Sequence, residues 1–213
     1  MTKLQIIVGS TRDGRAAEPI IGWLTDRAKA HGAFDVEVLD LRNWPLPIFQ
    51  ETFATIGDMA DPTYSDPIVR AWNRKIAEAD AYLFITPEYN HSVPAVLKNA
   101  IDSVFVSWAF RNKVAAFAGY SGGPVGGARA VEHLAHIAIE VELVPLKQSL
   151  IIGKVGQAFD EAGKPTDPMT DVAAGIVLDD LAWWSAALEP ARAAGSLPPG
   201  VLRLRAAIAA SAG

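Results

Sequence analysis

The segment GSTRDGR, residues 9–15, has the residue types that bind a phosphate group. Ser10 and Thr11 carry hydroxyls, and Arg12 and Arg15 carry guanidinium groups that hold phosphate through paired hydrogen bonds. Because the segment precedes a helical pattern, its backbone N–H groups are further donors for an anion. Its glycine spacing is that of a Walker A loop, but the Lys-Ser/Thr pair is absent, which disfavours a nucleoside triphosphatase. The segment predicts a site for one phosphate monoester, with a plain polar turn as the alternative.

Polar and aromatic residues also crowd the segment PEYNHS, residues 87–92. Pro87 is expected to end a strand, and Ser92 is expected to cap the helix that follows. A tyrosine and an asparagine provide a stacking surface and amide hydrogen bonds for a planar heterocycle. The segment therefore predicts one side of a site for such a ring. Four of its side chains have no evident role in folding: Glu88, Tyr89, Asn90 and His91.

His91 is a candidate general acid or metal ligand, because imidazole titrates near neutral pH and binds metals. A single histidine beside Glu88 is, however, more often a surface or interface residue. No second histidine or carboxylate has the spacing of a metal site. We predict no bound metal.

The segment GYSGGPVGG, residues 119–127, matches the G-x-S-x-G nucleophile elbow of hydrolases. The hydrolase triad would continue with an acid and then a histidine. After Ser121, however, only His133 and His136 follow, on the next predicted helix and with no aspartate between. We therefore predict a different use, in which the main chain of Ser121, Gly122 and Gly123 comes close to a flat ligand that side chains would obstruct.

The composition is that of a single globular domain. Of 213 residues, half are hydrophobic and a fifth are charged, which excludes a disordered chain. A net charge of −5 and the lack of a Lys/Arg block disfavour nucleic acid and anionic membranes as partners. The absence of cysteine excludes disulfides and thiolate catalysis. The first apolar run is too short for a signal peptide, so we expect a cytoplasmic protein with no membrane span.

Strand and helix patterns alternate along the chain, which predicts an α/β fold with a parallel sheet covered on both faces. In such sheets ligands bind beyond the carboxyl ends of the strands. The three segments described above follow the first, third and fourth predicted strands, so we expect them to meet there. The predicted strands are residues 4–8, 36–39, 81–86, 114–118 and 146–152, and the predicted helices are 17–31, 67–79, 93–105, 127–139 and 170–188.

Two regions lie outside this alternation. Residues 42–66 form a long loop with several aromatic residues and prolines, and loops of this length are usually functional or covered by a partner. We assign residues 1–190 to one domain and residues 191–213 to a C-terminal tail with a short helix over 201–209.

Taken together, these three segments make the chain similar to the NAD(P)H-dependent FMN reductases, which include quinone, chromate and azo-dye reductases. The segments GSTRDGR, PEYNHSVPAVLKNAID and GYSGGPVGGARA carry the resemblance, over about residues 3–155. It implies a flavodoxin-like three-layer sandwich with strand order 2-1-3-4-5. It also implies bound FMN, NADPH or NADH as co-substrate, and a homodimer or homotetramer in which the long loop lies between subunits.

The resemblance also implies a role for each segment. The first holds the FMN phosphate, the second lines the isoalloxazine ring and the third completes the flavin pocket. The implied function is electron transfer from NAD(P)H through FMN to a small acceptor: free flavin, a quinone, a metal oxyanion or an azo compound. This function requires no catalytic side chain, and Tyr89 and His91 are expected to tune the acceptor site. The alternatives are a non-enzymatic FMN electron carrier and a flavin-free scaffold domain. The implied cofactor-binding residues are Ser10, Thr11, Arg12, Arg15, Pro87, Glu88, Tyr89, Asn90, Ser121, Gly122 and Gly123.

Overall fold

The computed structural model of the protein describes residues 1–59 and 62–211. Within these residues the chain forms a five-stranded parallel sheet with the order β2-β1-β3-β4-β5. The predicted α/β class and strand order are therefore confirmed. The strands are β1 Thr2–Val8, β2 Phe34–Asp40, β3 Ala81–Pro87, β4 Val114–Tyr120 and β5 Val144–Ile152.

Helices cover both faces of the sheet and give three layers. Helices α1 and α5 pack on one face, and α2, α3 and α4 pack on the other. None of the described helices is both long enough and apolar enough to cross a membrane. The helices are α1 Glu18–His31, α2 Pro67–Ala77, α3 Ala95–Asp102, α4 Ala128–Glu140, α5 Pro168–Ala193 and α6 Gly200–Ser211, with 3₁₀ helices at Leu41–Asn43 and Val155–Gln157.

The apolar character of the inner strands accounts for this layering. Every residue of β3 and β4 is buried, as expected for parallel strands covered on both faces. Neighbouring side chains point to opposite faces, so Ile6 packs in the core under α1 and α5 while Ile7 packs in the core under α2, α3 and α4.

The strand ends bring the three segments to one edge of the sheet. Near its end, β1 pairs with β3, with Val8 opposite Ile85. At the end of β3, Pro87 lies opposite Tyr120, the last residue of β4. The segments that follow β1, β3 and β4 are called loop one (residues 9–17), loop three (88–94) and loop four (121–127), and all three start at this edge.

Helix α3 is shorter than predicted, and Ser92 does not cap it. The residue before α3 is Pro94, and no side chain caps the helix. A proline disfavours helical geometry in the residue before it, so the predicted start at residue 93 was wrong. Ser92 instead pairs with Tyr89 through two backbone hydrogen bonds of 2.9 and 3.1 Å.

The long loop, residues 42–66, packs beside α3 and α6. The Asn99 side chain accepts a hydrogen bond of 2.9 Å from Phe49 N and donates one of 2.8 Å to Pro47 O. Buried Tyr64 and α6 residues such as Val201 belong to the same apolar cluster. Residues 60 and 61 of the loop, and residues 212 and 213 of the predicted tail, lie outside the described residues.

The predicted tail helix over 201–209 matches α6, and α5 continues beyond its predicted end to Ala193. Helix α5 thus crosses the boundary drawn at residue 190. The division into a domain and a tail stays a prediction.

Candidate functional site

Loop one and loop three are in direct contact. The hydroxyls of Ser10 and Tyr89 lie 2.8 Å apart, and the Arg12 guanidinium lies over the Tyr89 ring, 3.6 Å from its centroid. Ser10 is buried, whereas Thr11 and Arg12 are exposed. A guanidinium that stacks on an aromatic ring keeps its N–H groups free at the edge, so Arg12 is available to an anion above the loop.

The backbone of loop one offers unused donors. In the described part of the chain, no backbone N–H group from Ser10 to Gly14 donates a hydrogen bond. The N-cap of α1 is Ala17, whose side chain cannot bond the first turn of this 14-residue helix. Free N–H groups beside a helix N-terminus attract negative charge.

Arg15 has a different environment from Arg12. Its side chain is 1% exposed, and its guanidinium pairs with both carboxylate oxygens of Asp40 at 2.8 and 2.6 Å. It also donates to Glu18 at 3.0 Å and to the carbonyl of Ser10. Four of its five N–H groups thus bond protein atoms. The predicted contact of Arg15 with phosphate stays a prediction.

Loop three begins with a tight two-residue turn. Asn90 and His91 have φ of 50° and 71°, between the paired residues Tyr89 and Ser92. Two positive φ values at the centre of such a turn are typical of type I′, a geometry that asparagine tolerates well. Asn90 and His91 therefore have a role in folding that the sequence analysis did not find.

Glu88 is buried beside this turn and pairs with an arginine of α4. Its side chain is 5% exposed and forms an ion pair with Arg129, although its Oε2 has no hydrogen-bond partner among the described residues. The hydrogen bond from Arg129 lowers the pKa of Glu88, which outweighs the opposite effect of burial. Glu88 is therefore ionised near neutral pH. The role of Arg129 was not predicted, because it lies far along the chain from Glu88 and comes close to it only in the fold.

His91 and His133 lie near the same turn. His91 is exposed, and the Nδ1 of His133 lies 2.9 Å from the Ser92 hydroxyl. The Ser121 hydroxyl donates to Gly123 O and accepts from Gly126 N, both at 3.1 Å. Ser121 thus stabilises loop four, which agrees with the prediction that it is no hydrolase nucleophile.

The glycines of loop four fall into two groups. A Cβ on Gly127 would lie 2.5 Å from Tyr120 N, and one on Gly126 would lie 2.8 Å from Gly153 N. These two glycines are required by close backbone packing and by positive φ values of 84° and 66°. A Cβ on Gly122 would meet nothing within 4 Å, and one on Gly123 only the Ser121 hydroxyl at 4.0 Å. Gly122 and Gly123 leave open space above the loop that their own fold does not require.

Comparisons with known proteins agree with this arrangement. A family model described as NADPH-dependent FMN reductase matches residues 2–157. The chain is 34% identical to an NAD(P)H-dependent FMN reductase of Schizosaccharomyces pombe over 152 residues, covering 70% of this chain and 73% of the relative. The chain belongs to the NADPH-dependent FMN reductase family.

Further relatives support the same family. An NAD(P)H:quinone oxidoreductase of Solanum tuberosum is 34% identical over 178 residues, covering 79% of this chain and 84% of the relative. The solved structure of FerB, a flavoenzyme NAD(P)H:acceptor oxidoreductase of Paracoccus denitrificans, superposes with a TM-score of 0.72 at 26% identity. That match covers 88% of this chain and 99% of FerB. Family membership confirms the predicted flavodoxin-like oxidoreductase, with FMN as cofactor and NADH or NADPH as co-substrate.

A further observation, on Tyr120, supports the fit of these residues to FMN. Tyr120 was not among the predicted site residues. The Tyr120 hydroxyl is buried near the Ser10 hydroxyl, which is already paired with Tyr89, and it makes no hydrogen bond of normal geometry among the described residues. Burial raises the pKa of Tyr120 to about 12, so the hydroxyl is a protonated donor at neutral pH. A buried donor without an acceptor is costly unless a ligand supplies one. Tyr120 was not predicted because it lies in the G-x-S-x-G match, whose characteristic residue is Ser121.

Proposed function

We propose that this FMN reductase passes electrons from NAD(P)H through FMN to small planar acceptors of the quinone class. The observation that carries the proposal is the edge formed by the three loops, which combines unused backbone donors in loop one with open glycines in loop four. Relatives named as quinone reductases include the potato protein and a 2-hydroxy-1,4-benzoquinone reductase that is 31% identical. Their names support a quinone, rather than a metal oxyanion or an azo compound, as acceptor.

Loop one holds the phosphate group in this proposal. The free N–H groups from Ser10 to Gly14, the Thr11 hydroxyl and the Arg12 guanidinium bind its oxygens. The stack of Arg12 on Tyr89 orients the guanidinium before the ligand arrives. Preorientation of this kind lowers the entropy cost of binding.

Loops three and four hold the isoalloxazine ring. The backbone of residues 87–90 lines one side, and the main chain of Ser121, Gly122 and Gly123 lines the other. Because the last two glycines carry no side chain, the ring can approach their backbone closely. The Asn90 side chain projects from the tight turn and supplies amide hydrogen bonds.

When bound, FMN would supply the chemistry that carries electrons from the hydride of NAD(P)H to the acceptor. The protein's own groups bind the cofactor, orient it and exclude water from it. Glu88 stays ionised in its ion pair with Arg129, so it acts as a fixed negative charge and not as a proton donor. The exposed imidazole of His91 lies on the same turn and is proposed to tune the acceptor site without being required.

Steady-state kinetics with NADPH and 1,4-benzoquinone test this function. If both substrates use the same face of the flavin, the nicotinamide must leave before the quinone binds. Double-reciprocal plots at several quinone concentrations should then be parallel, as in a ping-pong mechanism. Intersecting lines would contradict the shared face. Reduction of free flavin but of no quinone would contradict the acceptor class.

We also propose that the protein is a cytoplasmic homo-oligomer. A cavity of about 640 Å³ lies beside the long loop, lined by aromatic side chains such as Phe49, Phe105 and Trp108. At its margin Phe53 is 49% exposed and Ile48 is 74% exposed. Exposed apolar groups on this scale support a contact between subunits. Sedimentation velocity should give a dimer or tetramer, and a monomer at micromolar concentration would contradict the proposal.

A further inference from the structure

Arg15 and Arg12 belong to the same loop but face different surroundings. The Arg15 side chain is 1% exposed, whereas Arg12 is exposed and stacks on Tyr89. An anion above loop one would therefore meet Arg12 directly. It would reach Arg15 only if that side chain left its buried position.

The bonds of Arg15 join three separate elements. Its two pairings with Asp40 reach the last residue of β2, and its bond to Glu18 reaches the first residue of α1. A further bond to the carbonyl of Ser10 fixes the backbone of loop one itself. The fork of a guanidinium matches a carboxylate in this bidentate way, which a lysine cannot reproduce.

Asp40 is held by a second arginine as well. Arg42 donates to its carboxylate from the backbone N at 3.0 Å and from Nη2 at 2.9 Å. Burial alone would raise the pKa of Asp40, but the hydrogen bonds from Arg15 and Arg42 hold it well below its ordinary value. Release of Arg15 toward a ligand would leave this largely buried carboxylate with one partner fewer, which is costly.

We propose that Arg15 is a positioning residue, which fixes loop one through its buried pairing with Asp40, and that Arg12 is the guanidinium that contacts the FMN phosphate. This inference rests on the proposed function, because it concerns the same phosphate site. It replaces the expectation that both arginines bind phosphate. The pairing with Arg15 also explains why Asp40, a negative charge, lies close to a site for an anion.

The binding of FMN and of riboflavin, which lacks the phosphate, tests this role. Both affinities are measured by flavin fluorescence for the wild type, Arg15→Lys, Asp40→Asn and the double variant. Arg27→Lys is the matched control, because Arg27 pairs with Asp171 on a more exposed surface, at 3.0 Å. Thermal unfolding of each apoprotein verifies that the variants fold.

We expect Arg15→Lys and Asp40→Asn each to weaken FMN binding about tenfold while riboflavin binding stays unchanged. The double variant should lose no more than either single one, since both changes break the same pairing. Asp40→Asn is the most decisive variant for the positioning role of Arg15. By Coulomb's law alone, removal of a negative charge near an anion site would strengthen FMN binding, whereas we expect it to weaken.

Three outcomes would overturn the inference. Tighter FMN binding by Asp40→Asn would mean that a released Arg15 binds phosphate. Unchanged FMN binding by Arg15→Lys would mean that a positive charge suffices at this position. Equal affinity of the wild type for FMN and riboflavin would instead contradict the phosphate site of the proposed function, and this inference with it.

Discussion

At the residue scale, two glycines of loop four, Gly126 and Gly127, serve its folding, whereas Gly122 and Gly123 are proposed to serve ligand binding. We predict that Gly122→Ala leaves the stability of the apoprotein within about 0.5 kcal/mol and weakens FMN binding about tenfold or more. The reason is that a Cβ there meets no protein atom but occupies the space assigned to the ring. Urea unfolding and flavin titration measure the two effects.

Two controls accompany that variant. Gly127→Ala should cost roughly 3 kcal/mol of stability, because its Cβ would lie 2.5 Å from Tyr120 N. Gly22→Ala, inside α1, should raise stability by about 0.5–1 kcal/mol, because alanine favours the helix interior, and should leave FMN affinity unchanged. Unchanged FMN affinity in Gly122→Ala would remove loop four from the flavin site.

Tyr120 is predicted to serve the ligand rather than the fold. Tyr120→Phe should leave the apoprotein as stable as the wild type or slightly more so, because the buried hydroxyl makes no hydrogen bond of normal geometry among the described residues. FMN affinity should fall about tenfold, the usual loss for one hydrogen bond of this kind. Tyr82→Phe is the control, since its hydroxyl donates to Ile76 O at 2.6 Å and should affect stability alone. A destabilised Tyr120→Phe that binds FMN normally would reverse the assignment.

At the element scale, the turn of loop three depends on its backbone conformation. Asn90 has a φ of 50°, which a β-branched residue adopts at high cost. We predict that Asn90→Val lowers the free energy of unfolding of the apoprotein by about 1–2 kcal/mol. Asn90→Gly, which adopts positive φ freely, should cost only a few tenths of a kcal/mol. An equal loss in both variants would show that the Asn90 side chain, and not the turn, provides the stability.

The elements themselves were largely predictable, because apolar runs and helical periodicity depend on local sequence. The strand order was implied by the family resemblance, and the meeting of the three loops at one edge followed from the alternation of strands and helices. The start of α3 was not predicted, since Ser92 looks like a cap until its pairing with Tyr89 is known. The partners of Arg15 and Glu88 were not predicted either, because Asp40 and Arg129 come close to them only in the folded chain.

At the scale of the whole molecule, a buried lysine predicts how stability depends on pH. Lys113 is buried near the end of α2, the start of β4 and α5. This burial lowers the pKa of Lys113 to about 8. The unfolded chain then binds more protons than the folded one between about pH 8 and pH 10, so stability should rise with pH in that window. The gain from this group should be about 1–3 kcal/mol.

Lys113→Met isolates this effect. The variant should lack the gain, so the wild type should improve relative to it as the pH rises from about 7 to 10. Urea unfolding of both proteins at several pH values gives the difference. A difference that does not change with pH would mean that Lys113 keeps its ordinary pKa in the fold.

The function proposed for the whole molecule requires that the edge formed by the three loops binds FMN and exposes it to NAD(P)H. The most direct measurement is an anaerobic visible spectrum of the protein reconstituted with FMN, before and after addition of NADPH and then of a quinone. We expect NADPH to bleach the flavin absorbance rapidly and the quinone to restore it. A bound flavin that stays oxidised with both NADPH and NADH, or a protein that binds no FMN, would rule out the proposed function.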